Sequence, residues 1–427
     1  MGMIVYSAML ASAILLGSPW WLWRMASSAR YRAGLSGRLG AVPQALREAV
    51  AGRRVIWLHA VSVGEVLAAE RLIVALRTVF EAHVIVVSTT TASGQAIAKK
   101  KFGDTTTFFL PLDFALAVRS YLQVLQPELL VLMESELWPR LLVECNRRGT
   151  QVVIANARVS DRSFPRYMRL RKLWKPLLAK VDLLLAQGEE SAGRLRLIGA
   201  PAERVRVVGN LKYDSEVEVG SAVVSRLREL VRGRKVVVAG STLAGEEKML
   251  LDAWAKVVAQ EPDAILVLAP RHPQRFREVE AILGVSQFQK IAVNSHKFYE
   301  STEVEGGAVF LLDTIGDLAA VYGLAAVAFV GGSLVAKGGH NPLEPARFGV
   351  PVVIGKSYEN FREIVEGMRA ADALRLVDRD QVVPALVDLL VHGAAMGERG
   401  QRFFEGQTGA TERTVQALLA LMAEREG

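Results

Sequence analysis

The stretch RRVIWLHAVSVGEVLAAERLIVALRTVFEAHVIVVSTT, residues 53–90, decides the fold class of this chain. It begins with an almost continuous apolar run, continues with helical periodicity, and ends with a second apolar run that is rich in valine and isoleucine. Strands that are apolar on both faces are typical of parallel sheets covered by helices on both sides. The stretch therefore predicts a strand–helix–strand unit of a parallel α/β sheet.

The same alternation of strand and helix continues in two sets. After residue 90 the first set contains the apolar runs TTTFFLPL, ELLVLMESE, TQVVIANAR, VDLLLAQG and RVRVVGN, and the second contains KVVVAGST, AILVLAP, KIAVNS, AVFLLD, AVAFVGGS and VPVVIG. A polar segment, NLKYDSEVEVGSAVVSRLRELVRGR, separates the two sets. They predict two doubly wound, Rossmann-like domains that face an interdomain crevice, over 26–211 and 235–427, joined by a linker over 212–234. The last helical run, ATERTVQALLALMAERE, fits packing against either domain.

The N-terminal segment has the composition of a membrane anchor. No charged residue occurs between positions 3 and 23, and the next charged residues are arginines, beginning with Arg24 and continuing past Arg38 until the first acid, Glu48. Aromatic residues at the end of an apolar run and cations beyond it are typical of a membrane boundary on the cytoplasmic side. Residues 1–25 are therefore predicted to be a signal-anchor helix, either spanning the bilayer or lying in its surface.

Composition narrows the classes of function. The 427 residues carry a net charge of +8, which favours anionic partners such as phospholipids, phosphorylated substrates or nucleic acid. The sequence has neither zinc-finger spacing nor an aromatic–glycine RNA signature, so nucleic acid is the least favoured of the three. A single cysteine, Cys145, excludes a disulfide framework. P-loop, GxSxG, HExxH and GxGxxG motifs are absent, which argues against ATP hydrolysis, serine hydrolysis, zinc proteolysis and dinucleotide redox chemistry.

The first predicted domain carries acidic residues where strands end. In HAVSVGE, Ser62 and Glu65 have the spacing of a capping box, in which two side chains satisfy backbone N–H groups at a helix start. The alternative is that Glu65 accepts a proton from a substrate, and the positive end of the helix dipole would favour its ionised form. LMESELWP offers Glu134 and Glu136, and ANARVSDRS offers Arg158, at the ends of two further strands.

The second predicted domain carries features that are typical of anion binding. FVGGSLVAKGGHNPLEPARFGVP follows a strand, and its glycines would let backbone N–H groups approach a phosphate, ahead of a short helix that Asn341 caps. APRHPQR places Arg271 at the end of another strand, where a guanidinium binds phosphate or carboxylate through two hydrogen bonds. AGST is interpreted as a small anion-binding turn, and GNLKYD places Lys212 near the predicted crevice.

Taken together and in order, these motifs resemble those of the bacterial 3-deoxy-D-manno-octulosonic acid (Kdo) transferases. The resemblance covers YRAGLSGRLG, WLHAVSVGE, ESELWP, NARVSDRS, GNLKYD, AGST, APRHPQR and GGSLVAKGGHNPLEPA, nearly the whole chain. It implies a GT-B glycosyltransferase of lipopolysaccharide core assembly, which moves Kdo from CMP-Kdo to a lipid A precursor with inversion at the anomeric carbon. It also implies that the enzyme needs no cofactor or catalytic metal and works at the anionic cytoplasmic face of the inner membrane.

The resemblance also implies roles for individual residues. Glu65 would be the general base, and other catalytic or acceptor-side candidates are Ser62, Gly64, Glu134, Glu136 and Arg158. The donor side would comprise Lys212, Ser241, Thr242, Pro270, Arg271, His272, Gly331, Gly332, Ser333, Gly338, Gly339, His340, Asn341 and Glu344. Cationic side chains and glycine-loop N–H groups would hold the phosphate of the departing CMP.

Other functions share this architecture. A transferase or epimerase that uses a UDP-sugar would prefer UDP or UMP over CMP. A membrane-tethered nucleotide-binding protein without catalytic activity would bind ligand without turnover. A nucleic-acid binder would show affinity that falls steeply with salt and no preference for CMP.

Overall fold

A computed structural model describes residues 6, 12, 15–18, 34–215 and 220–426. The chain forms two compact units, the first comprising Met1–Ser215 and Thr408–Gly427 and the second Glu216–Gln407. The predicted anchor, residues 1–25, lies almost entirely outside the described residues. Among the described residues, no helix combines the length and the apolar character that crossing a membrane requires.

The first unit contains a parallel sheet of seven strands in the order β3-β2-β1-β4-β5-β6-β7. The strands are β1 (Arg54–His59), β2 (His83–Thr89), β3 (Thr107–Phe109), β4 (Leu129–Met133), β5 (Gln151–Ala157), β6 (Leu183–Ala186) and β7 (Val205–Val207). Each lies within one of the apolar runs that predict strands. The strand order reverses between β1 and β4, which makes the carboxyl ends of these two strands the expected ligand position in an open parallel sheet.

The second unit contains another parallel sheet of seven strands, in the order β10-β11-β9-β8-β12-β13-β14. The strands are β8 (Val236–Thr242), β9 (Ile265–Pro270), β10 (Lys290–Ala292), β11 (Val309–Leu311), β12 (Val327–Val330), β13 (Val352–Gly355) and β14 (Leu374–Val377). The sequence analysis misses β14, a short edge strand whose two central residues are only partly buried, so its pattern is not continuously apolar. Here the order reverses between β8 and β12.

Helices cover both faces of each sheet, as the apolar strands predict. In the first unit they are Leu35–Arg38, Gln44–Val50, Val63–Val79, Ala92–Phe102, Ala115–Leu125, Pro139–Arg147, Phe164–Arg169, Arg171–Leu178, Glu189–Ile198 and Ala410–Glu426, with 3-10 turns Ala202–Arg204 and Leu211–Tyr213. In the second unit they are Ala222–Leu230, Glu246–Val258, Phe276–Gly284, His296–Glu300, Leu318–Val321, Leu343–Ala346, Arg362–Ala370, Val382–His392 and Ala394–Gln407, with 3-10 turns Pro273–Arg275, Tyr322–Leu324, Glu359–Phe361 and Arg379–Gln381.

Each sheet therefore separates two apolar cores. In β1 the successive residues Trp57 and Leu58 are both completely buried, on opposite faces of the sheet. Burial of such side chains contributes roughly 1.5–3 kcal/mol each, which is why strands without a polar face are stable only between two helical layers. The prediction of two doubly wound α/β units is confirmed.

The borders of the units differ from the predicted domain limits. The first unit continues to Ser215, and the helix Ala222–Leu230, which falls in the predicted linker 212–234, packs Val224 and Leu227 into a core of the second unit. The last helix belongs to the first unit, where Leu418 is completely buried. Asp214 fixes its start, because the carboxylate accepts backbone N–H groups of Gly409 (2.7 Å) and Thr411 (2.5 Å).

Candidate active site

Glu65 lies in the first turn of the helix Val63–Val79, directly after β1 and at the point where the strand order reverses. The Val61 N–H donates to its Oε2 (2.8 Å), and the Ser62 hydroxyl donates to its Oε1 (3.1 Å). Ser62 caps no backbone N–H with its side chain, so the reciprocal capping box is wrong. Two donors nevertheless hold the Glu65 carboxyl group in one orientation.

Burial raises the pKa of Glu65 to about 7. The hydrogen bonds from Val61 and Ser62 lower the pKa, whereas the neighbouring charges of Glu134 and Glu136 raise it. The expectation that the helix start favours the ionised form of Glu65 is therefore wrong for its net pKa. Desolvation of the carboxyl group raises the pKa by more than the hydrogen bonds from Val61 and Ser62 lower it. A carboxyl group whose pKa lies near neutral pH is well matched to accept a proton during catalysis.

Glu134 and Glu136 follow β4, the strand beside β1, which is why their charges act on Glu65. Glu134 has a φ of 58°, and its N–H donates to the Ala155 carbonyl (2.8 Å). Burial raises the pKa of Glu136, and the charge of Glu134 raises it further. The Ser135 hydroxyl between them bonds to backbone atoms of Arg158, so the structure brings all three predicted polar segments of the first unit together.

Lys212, which the sequence analysis assigns to the donor side, lies in the first unit. Its Nζ lies 2.8 Å from Oε1 of Glu134. The turn that carries Lys212 is held by Asn156, whose Oδ1 accepts the Leu211 N–H (3.0 Å). The φ of Asn156 is 56°, at an irregularity in the pairing of β5 with β6. A strand irregularity has no clear pattern in the chain, so the sequence does not indicate this role of Asn156.

The remaining residues of HAVSVGE surround Glu65 without touching its carboxyl group. A Cβ at Gly64 would meet nothing within 4 Å, so this exposed position leaves open space at the start of the helix. His59 is completely buried, its Nδ1 contacts the Ser88 hydroxyl (2.9 Å), and burial lowers its pKa to about 4. His59 is thus neutral at physiological pH.

In the second unit, six N–H groups of the glycine-rich loop donate hydrogen bonds within the protein. Those of Gly332, Ser333 and Leu334 donate to the carboxylate of Glu246 at 2.7, 3.0 and 2.9 Å. Other loop donors bond within the unit: Gly331 to the Gly240 carbonyl (2.8 Å), Gly338 to the Ser357 hydroxyl (2.8 Å) and Gly339 to the Gly332 carbonyl (2.9 Å). These six N–H groups are therefore occupied within the unit, and binding of a phosphate by the rest of the loop stays a prediction.

AGST is the end of a strand and not a turn. Ser241 and Thr242 are buried as the last residues of β8, and Ser241 has a φ of 56° where the pairing with β9 shifts. The Thr242 hydroxyl donates to Oε1 of Glu247 (3.1 Å), which faces inward. Pro270 is likewise buried as the last residue of β9. Ser241, Thr242 and Pro270 thus lie at the carboxyl ends of two neighbouring strands.

Five predicted donor-side residues form one polar cluster in the second unit: Arg271, His272, His340, Asn341 and Glu344. Burial lowers the pKa of His340 to about 4, and the charges of Arg271 and His272 lower it further. Burial raises the pKa of Glu344, against the effects of Arg271 and the hydrogen bond from Asn341. The Arg271 guanidinium thus lies near a neutral imidazole, an arrangement suited to binding an anion.

Asn341 lies just ahead of the helix Leu343–Ala346, and its side chain accepts the Leu343 N–H at 3.2 Å. The residue at the helix start is Pro342, so the predicted cap at Asn341 lies one residue before the cap position in the structure. Among the described residues, no group of three or more histidine, cysteine or acidic side chains could hold a metal ion.

Comparisons with known proteins place the chain in a family. Residues 33–215 match the model of the 3-deoxy-D-manno-octulosonic-acid transferase (kdotransferase) family. The 3-deoxy-D-manno-octulosonic acid transferase of Haemophilus influenzae is 35% identical over 404 residues, 92% of each chain. The enzyme of the same name from Bordetella pertussis is 32% identical over 416 residues, 93% of this chain and 94% of its own.

The fold is also found in more distant proteins. The crystal structure of UDP-GlcNAc 2-epimerase from Neisseria meningitidis bound to UDP-GlcNAc is 12% identical and matches with a TM-score of 0.59, covering 86% of this chain and 100% of its own. At that identity the likeness concerns the fold alone. The sequence relatives cover nearly the whole chain, so they decide between the candidate functions. The chain therefore belongs to the 3-deoxy-D-manno-octulosonic acid transferase family and is a glycosyltransferase that transfers Kdo.

Proposed function

We propose that the enzyme moves Kdo from CMP-Kdo to a hydroxyl group of a lipid A precursor, with inversion at the anomeric carbon and without a catalytic metal. The observation that carries the proposal is Glu65, an oriented carboxyl group whose pKa is raised to about 7. An acceptor hydroxyl is a weak nucleophile, so a base must take its proton as the new bond forms. Glu65 is in the right ionisation range for this role.

In the proposed reaction, the acceptor oxygen bonds to the anomeric carbon while the bond from that carbon to the phosphate oxygen of CMP breaks. The acceptor proton moves to Glu65, and the electron pair of the broken bond leaves with CMP. Direct displacement from the opposite side accounts for inversion. Arg271 would neutralise the charge that develops on the phosphate, and His340, being neutral, would serve as a hydrogen-bonding group.

We assign the acceptor to the first unit and the donor to the second. Glu65, Glu134, Glu136 and Lys212 lie in the first unit, and the cluster around Arg271 and Glu344 lies in the second. Lys212 then acts beside Glu134 on the acceptor side, because their ion pair belongs to the unit of the base. A carboxylate, an ammonium group and a second acid there can contact the hydroxyl and phosphate groups of an acceptor.

A cationic surface of the first unit supports a membrane partner. Two leucines are exposed here: Leu170 (39%), between the helices Phe164–Arg169 and Arg171–Leu178, and Leu173 (64%), within the second of them. Around them lie the exposed cations Arg162, Arg166, Arg169, Arg171 and Lys172. Exposed leucines among cations suit a bilayer with anionic headgroups, on which a lipid acceptor remains. Together with residues 1–25 as an anchor, this surface would hold the enzyme at the cytoplasmic face of the inner membrane.

A direct assay tests the donor and the acceptor together. The purified protein is incubated with CMP-Kdo and a lipid A precursor in detergent, and the products are identified by mass spectrometry. We expect a mass increase of the precursor by one or more Kdo units with release of CMP. Unchanged precursor with a folded protein that binds CMP would overturn the proposal. Competition by UDP or UMP that equals competition by CMP would contradict the assignment of the nucleotide.

A further inference from the structure

The carboxyl ends of β8 and β12 form the edge at which a doubly wound sheet ordinarily holds the phosphates of a nucleotide. The two strands are neighbours, with Val330 paired to Gly240, and the strand order reverses between them. Where the strand order reverses, the loops that follow the two neighbouring strands run to opposite faces of the sheet. The space between these loops is ordinarily lined by helix N-termini and free N–H groups. In this protein the loop after β12 is glycine-rich, which suits close approach of an anion.

A carboxylate of the protein itself occupies that space. Glu246, the first residue of the helix Glu246–Val258, is completely buried. Its Oε2 accepts the N–H groups of Leu243 (2.9 Å) and Gly332 (2.7 Å), and its Oε1 accepts those of Ser333 (3.0 Å) and Leu334 (2.9 Å). Four donors saturate the four lone-pair positions of a carboxylate.

A second acidic residue lies directly beside it. Glu247 is also completely buried, and Arg275 donates to both of its oxygens, at 2.6 and 3.2 Å. The guanidinium compensates Glu247, whereas the partners of Glu246 are neutral backbone groups. Releasing the four N–H groups to a phosphate would leave the Glu246 carboxylate buried without partners, which strongly disfavours the exchange. The loop is therefore unable to exchange its internal anion for an external one.

We propose that Glu246 determines the class of donor: it fills the position of a second phosphate, so that the enzyme accepts a sugar on a nucleoside monophosphate and rejects one on a nucleoside diphosphate. The proposal rests on the donor assigned above. One phosphate beside Arg271 suffices for a CMP-sugar, whereas a diphosphate brings further negative charge to an edge that already holds a fixed carboxylate, where the N–H groups of residues 332–334 are bound to Glu246. Like charges in such a setting weaken binding strongly.

Calorimetry on the wild-type enzyme tests the proposal without any variant. Cytidine, CMP and CDP are titrated at one ionic strength, so that the ligands differ only in the number of phosphates. We expect CMP to bind more tightly than cytidine, and CDP to bind at least about tenfold more weakly than CMP. CDP binding that equals or exceeds CMP binding would overturn the proposal. Absence of any CMP binding would instead overturn the donor assignment itself.

A pair of variants assigns the effect to one side chain. Glu246→Gln removes the charge while keeping an oxygen for the loop, and Asp252→Asn removes an exposed charge from the same helix as a control. We expect the ratio of CDP to CMP dissociation constants to fall at least about threefold in Glu246→Gln and to stay unchanged in Asp252→Asn. A folded Glu246→Gln protein with the wild-type ratio would contradict the assignment. If the variant does not fold, the wild-type titrations still decide the proposal.

Discussion

At the scale of single residues, Glu65 shows how one local motif serves both structure and chemistry. The sequence places it at a helix start after an apolar strand, and that position is confirmed. Its raised pKa arises from burial and from acids some seventy residues away in the chain, so spacing within HAVSVGE contains no information about it. The ion pair of Lys212 with Glu134 is hidden from the sequence for the same reason.

Removing the positive charge of Lys212 is expected to change the pH dependence of catalysis. In Lys212→Met the charge of Glu134, which raises the pKa of Glu65, loses its ion-pair partner. Activity depends on ionised Glu65 and falls as the pH drops below about 7, so the acidic limb of kcat/KM should move to higher pH. Measurement of kcat/KM between pH 5 and 9 tests this, with Lys99→Met, which breaks the ion pair to Asp104, as the control. An unmoved limb in Lys212→Met would contradict it.

Ionisation of Glu65 should also reduce the stability of the folded protein at alkaline pH. Its pKa is higher in the folded protein than in the unfolded chain, so its contribution to stability is complete at low pH and is lost as the pH rises through about 7. Glu65→Gln, which stays neutral, should therefore be more resistant to urea than the wild type at pH 8. At pH 4, where the wild-type carboxyl is protonated in the folded state, this advantage should disappear. Equal urea midpoints for Glu65→Gln and the wild type at pH 8 would contradict a destabilising buried charge at Glu65.

At the scale of elements, the apolar composition predicts where the strands lie, but it does not predict the backbone conformation at their ends. Continuous apolar runs predict thirteen of the fourteen strands in the described part of the chain, because both faces of each sheet are buried. Glu134, Asn156 and Ser241 adopt positive φ at or beside the strand ends that form the candidate sites, although none of them is glycine. Tertiary contacts impose these conformations, such as the hydrogen bond from Leu211 to Asn156, and local propensity does not indicate them.

The close approach of β12 to β8 requires glycine at position 331. A Cβ there would lie 2.6 Å from the Ser241 carbonyl oxygen and 2.7 Å from the Thr242 Cα, and both are backbone atoms. Gly331→Ala should lower the free energy of unfolding of the second unit by about 1–3 kcal/mol. Gly406→Ala is the control, because a Cβ at this helical position meets nothing within 4 Å. Urea titration followed by tryptophan fluorescence measures both, and equal midpoints for the two variants would refute the packing argument.

At the scale of the whole molecule, two α/β units are evident from the sequence, but the return of the chain to the first unit is not. The terminal helix has apolar residues that fit either unit, and only long-range contacts identify its place. Asp214 bonds to Gly409 and Thr411, while Val415 and Leu418 enter the core beside the helix of Glu65. The first unit is thus built from two separate stretches of the chain, and the terminal helix packs into the core beside the helix that carries Glu65.

Truncating Leu418 should weaken the first unit selectively. The side chain is completely buried, so Leu418→Ala leaves a cavity that costs about 2–5 kcal/mol. Hydrogen exchange read by mass spectrometry should show lost protection within residues 34–215 and unchanged protection within 220–407. Leu419→Ala, at a partly buried neighbouring position, should have a smaller effect. Equal loss of protection in both units would contradict the assignment of the last helix.

The central claim is that Glu65 is the base of the transfer reaction, and its replacement by glutamine tests this most directly. Glutamine keeps the size of the side chain and an oxygen that can accept the Val61 N–H, so CMP binding and thermal unfolding near neutral pH should show a folded protein. Transfer of Kdo from CMP-Kdo should fall by at least about 100-fold. Glu70→Gln, on the same helix, should retain wild-type turnover. A folded Glu65→Gln enzyme that transfers Kdo at the wild-type rate would contradict the account.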